Sequence, residues 1–390
     1  MTNMQEPGKN AVRKDRFIIA SQYFLYFGSL GIYLPYFNLY CLHIGFNGIQ
    51  IGVISAVRSV AVIFFPLVWG IVADRFQVRR QIFIYCCIIS AFIWSFYLLT
   101  DNFLWMILIT AFYAIFYAPI ISFLEAFTMD VLGAEKKGYG RIRLWGSISF
   151  IMMVIFVGWA IDQFRVGIIL VLILAASSVQ SLIAFGVPPV QKKLSTIERH
   201  EGFRSFLTPK VNGFLFCAFL MLVSHGAYYG FFSIHLEQLG YGKTFIGLCW
   251  ALGVVAEILV MFRSKQLFGI FSLENVLFFS FMAAVLRWLV LYFFDNPVII
   301  LLSQPAHAVT YGTFHMASIL YIDRLSPESS KTSGQAVNNA VTYGLGLMVG
   351  FLVNGYFYEQ MDSSFFLFLF SAIIAFIAGG LFLMVRRFFP

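Results

Sequence analysis

Charge is what this sequence has least of. Asp, Glu, Lys and Arg make up 11% of it, against about 25% in a typical soluble domain. So few charges cannot cover a water-facing surface, which excludes an ordinary soluble enzyme or scaffold. Cysteine is scarce too. Cys41, Cys86, Cys87, Cys217 and Cys249 lie in or beside apolar segments without metal-ligand spacing, so they read as free, small core residues. There is no nucleophile–base pair, metal cluster, phosphate loop or nucleotide-binding domain to support an enzyme or a primary pump, so no cofactor and no metal are expected. No soluble output domain supports a sensor. The first sixteen residues are polar and basic, and the apolar run from Phe17 is too long for a leader, so no cleavable signal peptide is expected.

What is abundant is apolar. The chain is 60% hydrophobic and 19% aromatic, with 47 Phe. The apolar residues come in runs of about 20 or more, the length that spans a bilayer as a helix. A barrel would show short alternating segments instead. The expectation is an all-α polytopic membrane protein with twelve spans, near 17–42, 48–73, 81–100, 103–130, 141–162, 166–187, 211–236, 244–266, 272–294, 297–321, 333–357 and 364–385. One connection is long and polar, "PPVQKKLSTIERHEGFRSFLTPK". It divides the chain into a six-helix bundle (1–187), a linker (188–210) and a second six-helix bundle (211–390). The halves show no strong sequence repeat, so this layout rests on the span count and the linker.

A net charge of +8 raises the question of nucleic acid. Topology explains it better, and no nucleic-acid partner is expected. The amino terminus, alternate loops and carboxyl terminus hold 22 of the 26 Lys and Arg; the opposite loops hold only Arg165 and Lys243. That bias places both termini and the linker in the cytoplasm. Arg58 and Arg287 remain, inside spans.

The loop after the second span reads "GIVADRFQVRR". Its Gly permits close helix packing, and its Asp and basic residues can cluster with neighbouring helix ends. The pattern resembles the conformational-switch loop of the major facilitator superfamily. Gly70, Asp74, Arg75, Arg79 and Arg80 match, and Gln77 stands where Gly is usual. Two more stretches, "YGRIRLWGSISF" and "HGAYYGFFSIHLEQLGYGKTFIGLCWALGVVAEILV", are similar to the 3-phenylpropionate permease group, relatives of lactose permease and the nucleoside–proton symporters. The resemblance runs through most of both halves, including Arg58 and "LRWLV" around Arg287.

The resemblance implies roles. Glu125 in "EAF" and Arg143 in "GRIR" match the sugar-binding acid and base of lactose permease. Phe150 replaces a Trp that stacks on sugar, a change that favours an aromatic or apolar substrate because Phe cannot donate a hydrogen bond. Glu257, Arg287 and His307 match the proton-coupling set, but Thr310 replaces that set's partner Glu. Burial physics gives independent support, since ions within a membrane usually mark a substrate or proton path. The bland alternatives are a structural Glu125–Arg143 clasp, a static Glu257–Arg287 pair and a hydrogen-bonded core His307. Arg141, on nearly the opposite face from Arg143, would serve the cytoplasmic rim with Asp130. Arg58 should meet Glu125 or a substrate carboxylate. His225, Tyr228 and Tyr229 share one face of the seventh span, and Tyr113 and Tyr117 one face of the fourth; each set is either packing or a ligand wall. His315 reads as packing.

The expected function is proton-coupled symport of a small organic solute, an aromatic monocarboxylate by resemblance, through alternating access in the plasma (bacterial inner) membrane by a monomer. The alternatives are a sugar or nucleoside symporter and a drug-efflux antiporter.

Overall fold

The computed structural model describes residues 9–133, 135–189, 208–361 and 363–388. Most of the expected linker, 190–207, lies outside them. Among the described residues there are helices and no strands. That follows from the solvent: in hydrocarbon a backbone must satisfy its own N–H and C=O groups, and a helix does so within one segment.

The first six helices are α1 (Lys9–His43), α2 (Gly48–Phe76), α3 (Arg79–Ser95), α4 (Phe103–Leu132), α5 (Tyr139–Gln163) and α6 (Ile168–Ala184). Then come α7 (Pro209–Gln238), α8 (Lys243–Phe262), a short α9 (Ser264–Ile270) and α10 (Leu273–Phe293). Local chemistry sets several starts. Asn102 Oδ1 accepts from the backbone N–H groups of Leu104 and Trp105, and Thr208 Oγ1 caps Val211 N with Pro209 just inside the helix. Among the described residues ten helical segments are long and apolar enough to cross a membrane, and Ile168–Ala184 is a shorter apolar one.

The tenth expected span, 297–321, is not one continuous α-helix. It comprises α11 (Pro297–Ser303), a tight 3-10 turn (Gln304–Ala306), a π-helical turn (Ala308–Thr313) and α12 (Phe314–Leu325). Pro305 brings no N–H to the ladder, and Thr313 Oγ1 bonds back to the Val309 carbonyl at 2.7 Å. The eleventh span is interrupted likewise, with α13 (Lys331–Asn338), a π-helical stretch (Asn339–Gly346) and α14 (Leu347–Met361). The last helix is α15 (Phe365–Phe388). Wide turns of this kind recur at functional sites.

The chain packs as two compact units. Of the described residues, the first holds those within 1–34, 64–157 and 167–195; the second holds those within 35–63, 158–166 and 196–390. α1, α2 and α5 therefore each change unit part way along. Within the second unit α7 and α14 touch backbone to backbone: a Cβ added to Gly226 would lie 2.5 Å from the Gly350 carbonyl carbon. The loop between α2 and α3 is two residues, and Gln77 there takes φ of 54°. That is the left-handed conformation for which glycine is usual.

Candidate functional site

In the first unit an aromatic wall runs from α4 to α1. Tyr113 stacks on Tyr117 with centroids 4.9 Å apart, and Tyr117 on Tyr26 at 5.0 Å. Phe27 meets Tyr26 edge-on at 5.1 Å and carries the Arg143 guanidinium 3.7 Å above its ring. Tyr23, one turn before Phe27 on the same face of α1, also lies under Arg143, at 5.6 Å. Its hydroxyl accepts from Thr128 Oγ1 at 3.2 Å.

Glu125 sits on α4 and is exposed, although its neighbours Phe123, Leu124, Phe127 and Thr128 are buried. It interacts electrostatically with Arg143, Tyr23 and Tyr139. No ion pair within 4.0 Å joins it to Arg143, and Arg143 has no acidic partner within that distance among the described residues. The structural clasp is thus absent: the base lies on an aromatic ring and the acid is open. Phe150 is buried, its backbone against Gly31, where an added Cβ would lie 2.8 Å from the Phe150 carbonyl oxygen. Sequence reasoning missed Tyr23, Phe27 and Thr128. The i, i+4 aromatic spacing of Tyr23 and Phe27 was the available signal.

In the second unit Arg287 is 2% exposed on α10. It does not pair directly with Glu257, as the static-pair alternative required. It donates instead to His307 Nδ1 at 2.9 Å, Gln304 Oε1 at 3.1 Å and Thr310 Oγ1 at 3.4 Å, and lies 4.2 Å from the centre of the Tyr228 ring. Thr310, which replaces the family's Glu, is thus an acceptor for this arginine. His307 stands between base and acid, with Nε2 3.0 Å from Glu257 Oε1 and 3.4 Å from the Tyr229 hydroxyl.

The chemistry assigns the tautomer. Arginine only donates, so the Nδ1 facing it must accept, and the imidazole proton resides on Nε2, toward Glu257. Among the described residues Glu257 Oε1 is buried without an aligned hydrogen-bond donor, despite the nearby Nε2. One proton on this carboxylate would change what His307 and Arg287 face. The 3-10 and π turns of the tenth span carry Gln304 and Thr310 and flank His307. Its interruption therefore lets three polar side chains converge on one guanidinium.

His225, Tyr228 and Tyr229 of α7 join this cluster. His225 and Tyr228 are fully buried, with the His225 ring 5.1 Å from Trp288 and Tyr228 4.8 Å from Trp250. His225 Nδ1 meets the Met221 carbonyl at 2.8 Å, and its Nε2 has no hydrogen-bond partner among the described residues. His315 is more than packing: its Nδ1 lies 2.6 Å from the Tyr343 hydroxyl, which links the two interrupted spans. Arg58 is half-buried on α2 and belongs to the second unit, whereas Glu125 belongs to the first.

Around the loop between α2 and α3, Asp74 and Asp130 both hold Arg79, each at 3.2 Å. The expected Arg141–Asp130 association is therefore replaced by Arg79–Asp130. Arg80 donates to the Val187 and Phe185 carbonyls at the end of α6. Arg75 lies 5.7 Å from the Phe76 ring. Gly70 has open space around its would-be Cβ, so the close packing expected of it is not present.

A polar clasp within the second unit ties first-half residues to second-half ones. Asp162 accepts from the Lys243 and Thr244 backbone N–H groups, both at 2.8 Å, and from Thr244 Oγ1 at 2.6 Å. It caps α8 in place of Gly242, which has no side chain to do so. Asn38 Nδ2 donates to the Gly230 carbonyl at 2.9 Å, and Gly48 N to Glu359 Oε2 at 2.9 Å.

Known proteins resemble this chain along nearly its whole length. A probable 3-phenylpropionic acid transporter of Escherichia coli (strain K12) is 26% identical over 353 residues, covering 89% of this chain and 92% of the relative. Maltose permease of Geobacillus stearothermophilus is 24% identical, covering 87% and 86%. The crystal structure of the nucleoside transporter NupG (D323A mutant) superposes with a TM-score of 0.86 at 18% identity, over 95% of this chain and 99% of that one. It establishes the twelve-helix major facilitator fold. The MFS_1 like family matches residues 17–370, and the chain belongs to that family of multi-pass secondary transporters, which are not enzymes.

Proposed function

We propose that this transporter carries a small aromatic monocarboxylate, of the 3-phenylpropionate type, together with protons into the cell. The observation that carries the substrate class is Arg143, a guanidinium resting on Phe27 with no acidic partner within 4.0 Å among the described residues. A carboxylate would satisfy its charge, and the Tyr26–Tyr117–Tyr113 wall would receive an aromatic ring by offset stacking. The 26% identity to a probable 3-phenylpropionic acid transporter supports the same class. In the first unit Glu125, Phe150 and Tyr117 complete the proposed substrate contacts; in the second unit Arg58, His225, Tyr228 and Tyr229 are proposed as substrate contacts in their own right. Glu257, His307 and Arg287 form the proposed proton-coupling set, and the Gly70–Arg80 loop the conformational switch. The 22-to-2 bias of basic residues supports cytoplasmic termini in a plasma-membrane protein, and the span count and the polar linker support a division into bundles 1–187 and 211–390.

The test is transport in proteoliposomes with phenylpropionate, cinnamate, nucleosides and disaccharides. Arg143→Lys turns a planar fork into a point charge. It is expected to lower affinity for the acids about tenfold or more while leaving a neutral amide analogue unchanged. Equal losses for acid and amide would show that Arg143 does not hold the carboxylate. Selective uptake of nucleosides or disaccharides would replace the substrate class while leaving the transporter reading intact.

A further inference from the structure

Away from the proposed substrate and proton sites, the first unit holds a cavity of about 1240 Å³ formed by α1, α5, α6 and the turn before α5. Its two ends differ in chemistry. One end carries Arg16, Lys136 and Arg141, with Glu135 the single acid among the described lining residues. Glu135 pairs with Arg16, and neither Lys136 nor Arg141 has an acidic partner within 4.0 Å among the described residues. Arg16 Nε is buried without a hydrogen-bond partner among the described residues. The other end is apolar. Along α1 the lining passes from Arg16 through Ala20 to Phe24, one turn at a time, and along α5 from Arg141 to Trp145. Trp145 is half exposed. Lys136 and Arg141 are exposed at the mouth of the groove, where they can meet an anionic headgroup, and a soluble anion has no use for the apolar groove behind them.

We propose that this groove binds one anionic phospholipid, with its phosphate at Arg16, Lys136 and Arg141 and an acyl chain along Phe24 and Trp145. Basic pockets between spans on the cytoplasmic side have the matching charge for such headgroups, and the positive end here belongs to the loops that the charge bias assigns to the cytoplasm. The ion pair with Glu135 orients Arg16 without neutralising the site, which keeps a net excess of two positive charges.

The test is native mass spectrometry of the purified full chain in detergent, titrated with phosphatidylglycerol or phosphatidylcholine. Detergent removes sidedness, so an error in the membrane orientation would leave this result unchanged. Wild type is expected to retain a single phosphatidylglycerol in preference to phosphatidylcholine. Arg16→Gln/Arg141→Gln is expected to lose that preference about thirtyfold, the effect of two basic residues near an anionic surface. Lys136→Gln/Arg141→Gln leaves the Arg16–Glu135 pair in place and is expected to lose a similar amount, which separates lipid binding from damage to the fold. Lys265→Gln/Arg387→Gln removes two exposed charges elsewhere and is expected to change nothing. Phosphatidylglycerol with brominated chains is expected to quench wild-type tryptophan fluorescence more than the Trp145→Phe protein. Equal binding of the two lipids, equal losses in the control pair, or quenching unaffected by Trp145→Phe would each overturn the proposal.

Discussion

Arg287 offers a quantitative test that needs no knowledge of the substrate. It is 2% exposed, and its three hydrogen-bond acceptors, His307, Gln304 and Thr310, are neutral. Glu257 lies across the His307 ring, its Oε1 3.0 Å from Nε2, and interacts electrostatically with Arg287. Removing one member of a buried charge pair costs about 3–5 kcal/mol. In Glu257→Gln the neutral acceptors and the Tyr228 ring remain, so the lower end, about 3 kcal/mol, is expected. In Arg287→Met the stranded carboxylate is 19% exposed, and partial solvation brings the cost to about 2 kcal/mol. Independent effects would sum in the double variant. If the charges balance each other, Glu257→Gln/Arg287→Met removes both and loses only about 1–2 kcal/mol, a coupling of at least 3 kcal/mol. The assay is denaturant unfolding of the four proteins in one detergent at one pH. Additivity within about 0.5 kcal/mol would show that His307 insulates the two charges and would remove the basis for treating the triad as a unit.

Three further outcomes are expected. Glu257→Gln should abolish solute accumulation driven by a pH gradient, which for one proton per solute reaches about tenfold per pH unit, while solute exchange survives; wild-type accumulation would move the proton to another group. Glu125→Gln should lose substrate affinity without losing thermal stability, because no ion pair holds Glu125 to Arg143, and a drop in melting temperature with unchanged binding would reverse that assignment. Gly226→Leu should prevent folding, since an added Cβ would already lie 2.5 Å from the Gly350 backbone; well-expressed, active protein would refute the close α7–α14 contact.

Chain composition alone decided that this is a helical membrane protein, because a bilayer gives an apolar run of about 20 residues one way to satisfy its backbone. The basic loops and the Gly70–Arg80 motif were legible for the same reason: both are local in sequence. Left-handed Gln77 was visible only as a departure from the family's Gly, and the structure gave it a conformation. What the sequence could not decide was who meets whom. It placed Glu257, Arg287 and His307 deep in three spans, but the order acid–imidazole–guanidinium depends on side-chain directions from separate helices. It offered Asp130 to Arg141, and the short α2–α3 turn brought Arg79 there instead. It drew the tenth span as one helix, because hydropathy counts apolar residues and is blind to a turn that widens. The π turn, the resting place of Arg143 on Phe27 and the capping of α8 by Asp162 come from packing between segments far apart in the chain, and the tertiary structure alone fixes them.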